Sequence, residues 1–198
     1  FILFKRNAEN PEQIRTLCLN LVDACRAAGL GAPLISIDQE GGTVARLKAP
    51  HFTEFPDARV LAESERAEEL LGDYATTCAK ELLAVGINMN LAPVLDVSPA
   101  GQGLFMEHRS LGGTPEQVAR LGALVIATMQ DNGLAACAKH FPGLGGATLD
   151  PHEMLPVVDR SLDELRGCDL LPFAAAIRAG VAGVMTSHTV YPQLDPDL

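Results

Sequence analysis

The sequence predicts an α/β protein that forms part of a (β/α)8 TIM-type barrel, with about five consecutive βα units. Strand-like and helix-like segments alternate along the chain, and polar residues collect where the predicted strands end. Such alternation is typical of parallel strands joined by right-handed crossovers. Because a complete barrel takes roughly 250 residues, we expect residues 1–198 to be a single, incomplete domain that is cut at both ends.

Short apolar segments predict the strands, which are expected to be parallel neighbours in chain order within a curved sheet. These segments are residues 1–4, 34–38, 87–91, 134–139 and 181–186. Helical spacing of apolar residues predicts the helices between them, over about 11–28, 64–84, 115–132 and 163–179. Asn10 and Thr114 are the expected N-caps of the first and third helices, because each precedes a proline in the first turn.

The third strand favours a barrel over an open doubly wound sheet. In residues 87–91, Asn88 and Asn90 alternate with three apolar residues. A strand in a doubly wound sheet is covered by helices on both faces and is usually apolar on both. We therefore expect the two asparagines to face the interior of a barrel near its mouth.

The composition disfavours several classes of function. Fifteen Lys and Arg against 25 Asp and Glu give a net charge of −10, so nucleic acid and anionic membranes are poor partners. No stretch has the roughly 20 apolar residues of a membrane helix, and residues 1–6 lack the order of a signal peptide. The five cysteines have no metal-binding spacing, which indicates buried thiols in a cytoplasmic protein.

Polar residues end or flank each predicted strand after the first. They are Asp38, Gln39 and Glu40, then Asn88, Asn90 and Asp96, then Lys139 and His140, then Ser187 and His188. The carboxyl ends of parallel strands carry the active site in barrels and in open α/β sheets alike. Their recurrence at four strand ends therefore predicts a functional site at this edge of the sheet.

The segment after the fourth strand contains a candidate acid/base. Gly143 to Gly146 is glycine-rich but fits no phosphate-loop pattern, because Asp150 and Pro151 follow where a helix should begin. Asp150 precedes His152 by two residues, and a carboxylate so placed can accept the ring N–H and raise the basicity of the imidazole. The spacing alone favours a simpler interpretation, in which Asp150 caps a turn and His152 is exposed.

Four blocks of the sequence together resemble the bacterial β-N-acetylglucosaminidases (β-hexosaminidases) of glycoside hydrolase family 3. They have that family's order and spacing and span nearly the whole chain. The blocks are Ile37-Asp38-Gln39-Glu40-Gly41-Gly42, Leu91-Ala92-Pro93-Val94-Leu95-Asp96-Val97, Arg109-Ser110 before Gly112, and Lys139-His140-Phe141-Pro142-Gly143 followed by Asp150-x-His152 and Leu155-Pro156.

The resemblance implies a retaining glycosidase that removes terminal β-linked N-acetylglucosamine from cell-wall or chitin-type saccharides, with a role in peptidoglycan recycling. Asp38, Arg109, Lys139 and His140 would bind the hydroxyl groups of that sugar, and Arg46 is expected to join them. Charge-assisted hydrogen bonds of this kind would fix the orientation of the ring. The expected partner is thus a small saccharide, with no cofactor and no metal.

The resemblance also implies the catalytic roles. His152 would be the acid/base and Asp150 would orient it, in place of the carboxylate pair of most glycosidases. The nucleophile would be an Asp in a Ser/Thr-Asp-Asp-Leu type motif. Residues 1–198 contain no such motif, so we expect the nucleophile outside this chain and the isolated chain to be inactive.

The sequence departs from the family pattern at four positions beside these residues. Leu144 and Thr43 stand where His and Arg are common, Pro151 replaces a Ser, and His108 replaces an Asp. None of these positions has a named catalytic role, but together they put the identity of the substrate in question.

Two other functions are compatible with the sequence. A metal-dependent barrel hydrolase would use Asp38, His140, His152 and His188 as ligands. Against it, no HxH or HxxxH pair occurs and Lys139 would repel a divalent cation beside His140. A non-catalytic sugar-binding relative is the second alternative, since it would not need the missing nucleophile.

Overall fold

A computed structural model of the protein describes residues 1–147 and 156–195, which form strands and helices in alternation. The strands are β1 (Ile2–Leu3), β2 (Ser36–Ile37), β3 (Gln39–Gly41), β4 (Val44–Ala45), β5 (Met89–Asn90), β6 (Ala135–Phe141) and β7 (Gly183–Thr186). The helices are α1 (Pro11–Ala27), α2 (Ala58–Ala62), α3 (Ala67–Ala84), α4 (Pro115–Asp131), α5 (Leu162–Gly167) and α6 (Leu170–Arg178), with a 3₁₀ turn at Lys5–Asn7.

The main sheet has five parallel strands in the order β1-β2-β5-β6-β7. Each strand pairs with the next one along the chain once the short β3–β4 ribbon is set aside. A doubly wound sheet would instead reverse its strand order at a switch point. The prediction of parallel neighbours in chain order is therefore confirmed, and the fold is that of a partial (β/α)8 barrel.

Side-chain caps set the starts of two long helices as predicted. The Asn10 side chain accepts a hydrogen bond from the Gln13 N–H at the start of α1, and Thr114 accepts one from Gln117 N–H at the start of α4. The helix expected over 163–179 is instead two helices, α5 and α6, that meet at Cys168 and Asp169. A capping box formed by Ser161 and Glu164, which was not predicted, stabilises the first turn of α5.

A large apolar core lies between the sheet and the helices. Alternate residues along two neighbouring strands belong to it. They are Ile35, just before β2, and Ile37 in β2, and Ala136 and Ala138 in β6. Helix α4 packs against both α3 and α6 and completes the outer layer. A smaller apolar cluster on the opposite face of the sheet contains Met89, Leu91 and Cys137, with Ala135 and Met185 against it.

The expectation for the two asparagines of the third strand was wrong. Asn90 is fully buried and faces the helical layer, where its side-chain amide lies 3.5 Å from the Tyr74 hydroxyl. Asn88 and Asn90 each bind backbone groups of the β2 segment through both side-chain atoms. The interior face instead carries Met89 and Leu91. Polar alternation in this strand thus reflects bracing between neighbouring backbones and not the mouth of a barrel.

The five cysteines are free thiols, four of them buried and Cys168 half-buried. Cys18 and Cys25 lie on the buried side of α1, as their seven-residue spacing predicts. Among the residues that the structure describes, no helix is both long and apolar enough to span a bilayer.

Candidate active site

The alternation of side chains along β2 and β6 brings two predicted site residues to the interior face. Ile37 points into the helical core, so Asp38 lies on the other face of the sheet just beyond β2. Ala138 likewise belongs to the core, and Lys139 follows it on the interior face of β6. The two side chains meet there, with Lys139 Nζ 2.7 Å from Asp38 Oδ1.

An antiparallel ribbon after β2 brings a third predicted residue to the same place. Strands β3 and β4 pair through a turn at Gly41 and Gly42, which have φ of 107° and 51°. A side chain at either glycine would collide with residues 55–57, and positive φ also favours glycine. The Gln39 side-chain oxygen accepts a hydrogen bond from the backbone N–H of Arg46 at 3.0 Å. This contact holds β4 so that the Arg46 side chain reaches Asp38.

All five predicted sugar-binding residues line one cavity of about 460 Å³ at the carboxyl ends of the strands. Its polar lining includes Asp38, Arg46, Arg109, Lys139 and His140. Apolar side chains form much of the rest, namely Ile2, Phe4, Val44, Leu91, Phe105, Met106, Leu144 and Met185. A concave site with an apolar lining and a few convergent polar groups is typical of small-molecule binding.

Asp38 is held between two cations. Its Oδ1 accepts a hydrogen bond from the Lys139 ammonium at 2.7 Å, and its Oδ2 accepts one from Arg46 Nη2 at 3.1 Å. Burial works to raise the pKa of Asp38, but Lys139 and Arg46 outweigh it and hold that pKa below its usual value. Asp38 is therefore ionised at neutral pH, and it keeps lone pairs that can accept hydroxyl groups.

Glu40 joins the same charge network, although the sequence analysis gave it no role. It forms a two-bond pair with Arg109, with Nε–Oε2 and Nη2–Oε1 both 2.8 Å, and its Oε1 also lies 2.6 Å from Lys139 Nζ. Burial works to raise the pKa of Glu40, but Lys139 and Arg109 hold it below its usual value. The strand alternation that was used for Asp38 could have identified Glu40, since residues two apart share a face.

A fully buried carboxylate orients His140. Asp96 Oδ2 lies 2.7 Å from His140 Nδ1, while its Oδ1 accepts the Leu144 N–H at 2.7 Å. The Nδ1–H tautomer of His140 can donate a hydrogen bond to this carboxylate, which leaves Nε2 for a ligand. The contacts of Asp96 tie His140 to the loop that follows β6.

Three of the four departures from the family pattern lie at the cavity. Thr43, His108 and Leu144 all line it, as does His188. Leu144 is almost fully buried in an apolar cluster with Met106 and other residues of the neighbouring loops. An apolar anchor thus stands where the family commonly has a histidine.

The predicted acid/base pair, Asp150 and His152, lies outside the described residues. Backbone hydrogen bonds hold the chain on either side of this segment. Before it, the Ala147 carbonyl accepts a hydrogen bond from the N–H of Phe105, which lines the cavity, at 3.2 Å. After it, the Val158 N–H donates a hydrogen bond to the Val190 carbonyl at 3.0 Å. Pro151, the fourth departure, falls in the same undescribed segment. Within residues 1–147 and 156–195, no group of three or more His, Cys, Asp or Glu side chains is arranged to hold a metal ion.

Comparisons with known proteins agree on one family. The model of the glycosyl hydrolase family 3 N terminal domain matches residues 1–197. A β-hexosaminidase of Thiobacillus denitrificans is 39% identical over 98% of this chain and 54% of its own length. A β-hexosaminidase of Pseudomonas aeruginosa is 40% identical over 98% of this chain and 56% of its own length. The chain therefore spans about half the length of the curated relatives it matches.

Solved structures give the same result. The crystal structure of NagZ from Neisseria gonorrhoeae in complex with N-trifluoroacetyl-D-glucosamine has a TM-score of 0.88 and 39% identity, and the match covers 98% of this chain and 57% of that one. A family 3 β-N-acetylglucosaminidase from Paenibacillus has a TM-score of 0.87 and 40% identity, with 99% of this chain and 37% of that one covered. Sequence and fold thus match this family over nearly the whole length of the chain, and the chain belongs to glycosyl hydrolase family 3.

Proposed function

We propose that the protein is a retaining β-N-acetylhexosaminidase that removes terminal β-linked N-acetylglucosamine from cell-wall or chitin-type saccharides. The observation that supports this most is the convergence of Asp38, Arg46, Arg109, Lys139 and His140 on one cavity. Relatives that carry the name β-hexosaminidase, and a similar structure bound to N-trifluoroacetyl-D-glucosamine, supply the sugar class.

The cavity has the chemistry that a polyhydroxylated ring needs. Asp38 accepts hydrogen bonds, whereas Lys139 has three N–H donors of which the two carboxylates take two. One ammonium donor therefore stays available for a sugar oxygen. The apolar side chains, Leu91 and Met185 among them, would contact the C–H groups of the ring.

Catalysis is proposed to use His152 as the acid/base. It would protonate the leaving oxygen in the first step and take a proton from water in the second, while Asp150 fixes its tautomer. The attacking carboxylate is proposed to come from outside residues 1–198. Asp38 and Glu40 are poor candidates, since each is already engaged by two cations.

Cytoplasmic action in peptidoglycan recycling is part of the proposal. The single domain assigned to residues 1–198 would then supply the binding residues and the acid/base of a larger catalytic unit. No cofactor or metal has a step in this mechanism.

The test uses the polypeptide as its gene encodes it, with 4-nitrophenyl N-acetyl-β-glucosaminide as the substrate. Proton NMR of the first turnovers should show the β-anomer of N-acetylglucosamine before mutarotation, because two displacements retain configuration. The matched 4-nitrophenyl β-glucoside, which lacks the acetamido group, should be hydrolysed much more slowly. An initial α-anomer, or sugar binding without turnover, would contradict the proposed mechanism.

A further inference from the structure

We propose that Glu40 is a positioning residue of the sugar site, which aims Arg109 and Lys139 at the ligand without touching it. This inference rests on the proposed function, because it assigns Glu40 a task in sugar binding. Glu40 is absent from the cavity wall and only 5% exposed, while Arg109 and Lys139 both line the cavity.

The hydrogen bonds of Glu40 fix the direction of both cations. Its carboxylate accepts hydrogen bonds from Nε and Nη2 of Arg109, at 2.8 Å each. These two parallel hydrogen bonds fix the plane of the guanidinium. The same Oε1 accepts one of the three donors of Lys139, at 2.6 Å. The donors that remain, including Nη1 of Arg109, are the ones that can reach a ligand in the cavity.

Glu40 also separates two like charges in a buried place. Arg109 Nη2 and Lys139 Nζ bind the same carboxylate oxygen, so they lie close together. Without a negative charge between them, the two cations would repel each other in surroundings of low dielectric constant. Asp38 cannot replace Glu40, because its two oxygens already bind Lys139 and Arg46.

The local structure holds Glu40 rigidly for this task. It lies in β3, between Gln39 and Gly41, and all three residues are buried. The backbone carbonyl of Gln39 accepts the Tyr74 hydroxyl at 2.6 Å and the Asn90 amide at 2.9 Å. Side chains of α3 and β5 thereby brace the strand that carries Glu40, so its carboxylate is fixed relative to the sheet.

The closing experiment separates positioning from a purely structural role in the polypeptide as encoded. Glu40→Gln keeps the shape but removes the charge, and it turns one acceptor into a donor that faces another donor. We expect KM for 4-nitrophenyl N-acetyl-β-glucosaminide to rise by about tenfold or more, since hydrogen bonds to charged groups would be lost or misdirected. A loss of folded molecules alone would lower the apparent kcat and leave KM unchanged.

Further variants complete the design. Glu69→Gln breaks an exposed ion pair with Arg66 on α3 and should leave KM unchanged. Glu40→Asp keeps the charge but shortens its reach, and its effect on KM should be non-additive with that of Arg109→Lys. An unchanged KM in both Glu40 variants, or strictly additive effects, would overturn the proposal.

A crystal structure of Glu40→Gln distinguishes this proposal from the proposed function. If the wild-type polypeptide neither hydrolyses the glucosaminide nor binds N-acetylglucosamine, the proposed function fails whatever Glu40 does. Displaced Arg109 and Lys139 side chains in the variant would still support their positioning by Glu40, whereas unmoved side chains would refute it.

Discussion

Lys139 is the residue around which the charges of the cavity are arranged. Its side chain is almost fully buried, and its ammonium contacts both Asp38 and Glu40. A buried cation loses its hydration, and good hydrogen bonds to carboxylates only partly offset that loss. Removal of either carboxylate therefore leaves an uncompensated charge, which makes this cluster sensitive to single substitutions.

Acid should weaken the fold through these carboxylates. Asp38 and Glu40 have folded-state pKa values below their usual ones, so their contribution to stability is present above about pH 4 and is lost as the pH falls through the folded values. We expect urea unfolding to show a falling free energy below that pH. Glu40→Gln should flatten the decline, while Glu65→Gln at an exposed site should not; equal slopes would contradict the role of Glu40.

His152 should matter most for substrates with poor leaving groups. A proton donor is needed when an alkyl or sugar oxygen departs, but hardly when an activated phenolate departs. We expect His152→Ala to lower kcat/KM for a chitobiose-type saccharide far more than for a 4-nitrophenyl glycoside. Steady-state kinetics on both substrates check this, and equal losses would show that His152 is not the acid.

A strand pattern indicates which side chains lie at the cavity, whereas tertiary contacts between distant residues leave no such pattern. Asp38, Lys139 and His140 were predicted because strand ends meet at one edge of the sheet. Glu40 was given no role, because its partners are distant in sequence. The interpretation of Asn90 was wrong, since a strand pattern does not reveal which face meets the helices.

At the level of elements, the parallel strands and long helices were predictable because each carries a periodic apolar pattern. The β3–β4 ribbon was not, because its strands have three and two residues and show no such pattern. The break between α5 and α6 was also missed. There the almost fully buried Asp169 pairs with Arg160, a contact that sequence periodicity does not contain.

Close packing of the loop after β6 gives an element-scale prediction. A Cβ atom at Gly145 would lie 2.0 Å from the Val97 carbonyl oxygen, whereas one at Gly31 would meet nothing within 4 Å. Gly145→Ala should therefore destabilise the protein by about 1–3 kcal/mol, and Gly31→Ala should be neutral or slightly stabilising. Thermal and urea unfolding check this, and equal stability of the two variants would contradict the packing.

The two outer strands of the sheet expose apolar side chains on the scale of the whole molecule. Ile2 in β1 and Val184 in β7 are 51% and 43% exposed. Each of these strands pairs with one neighbour in the main sheet as described, so a row of backbone groups is left without a strand partner in that sheet. Open, apolar edges of this kind favour association with other chains.

Residues 1–198 produced alone should consequently associate with increasing concentration. Light scattering at several concentrations measures this, and Val184→Lys should reduce it because a charge on an edge strand opposes pairing. Surface variants such as Glu69→Gln should leave it unchanged. If the protein is monomeric at every concentration, the edge strands β1 and β7 do not drive association.

The most direct test of the account is calorimetric binding of N-acetylglucosamine to the encoded polypeptide and to its Asp38→Ala and Asp38→Asn variants. Asp38 is a charged acceptor that lines the cavity, and each hydrogen bond to such a group is worth about 1.5–3 kcal/mol. We predict that wild type and Glu69→Gln bind alike and that both Asp38 variants, with their folding checked by circular dichroism, bind at least about tenfold more weakly. Affinities within twofold of wild type in both variants would contradict the assignment of this cavity as the sugar site.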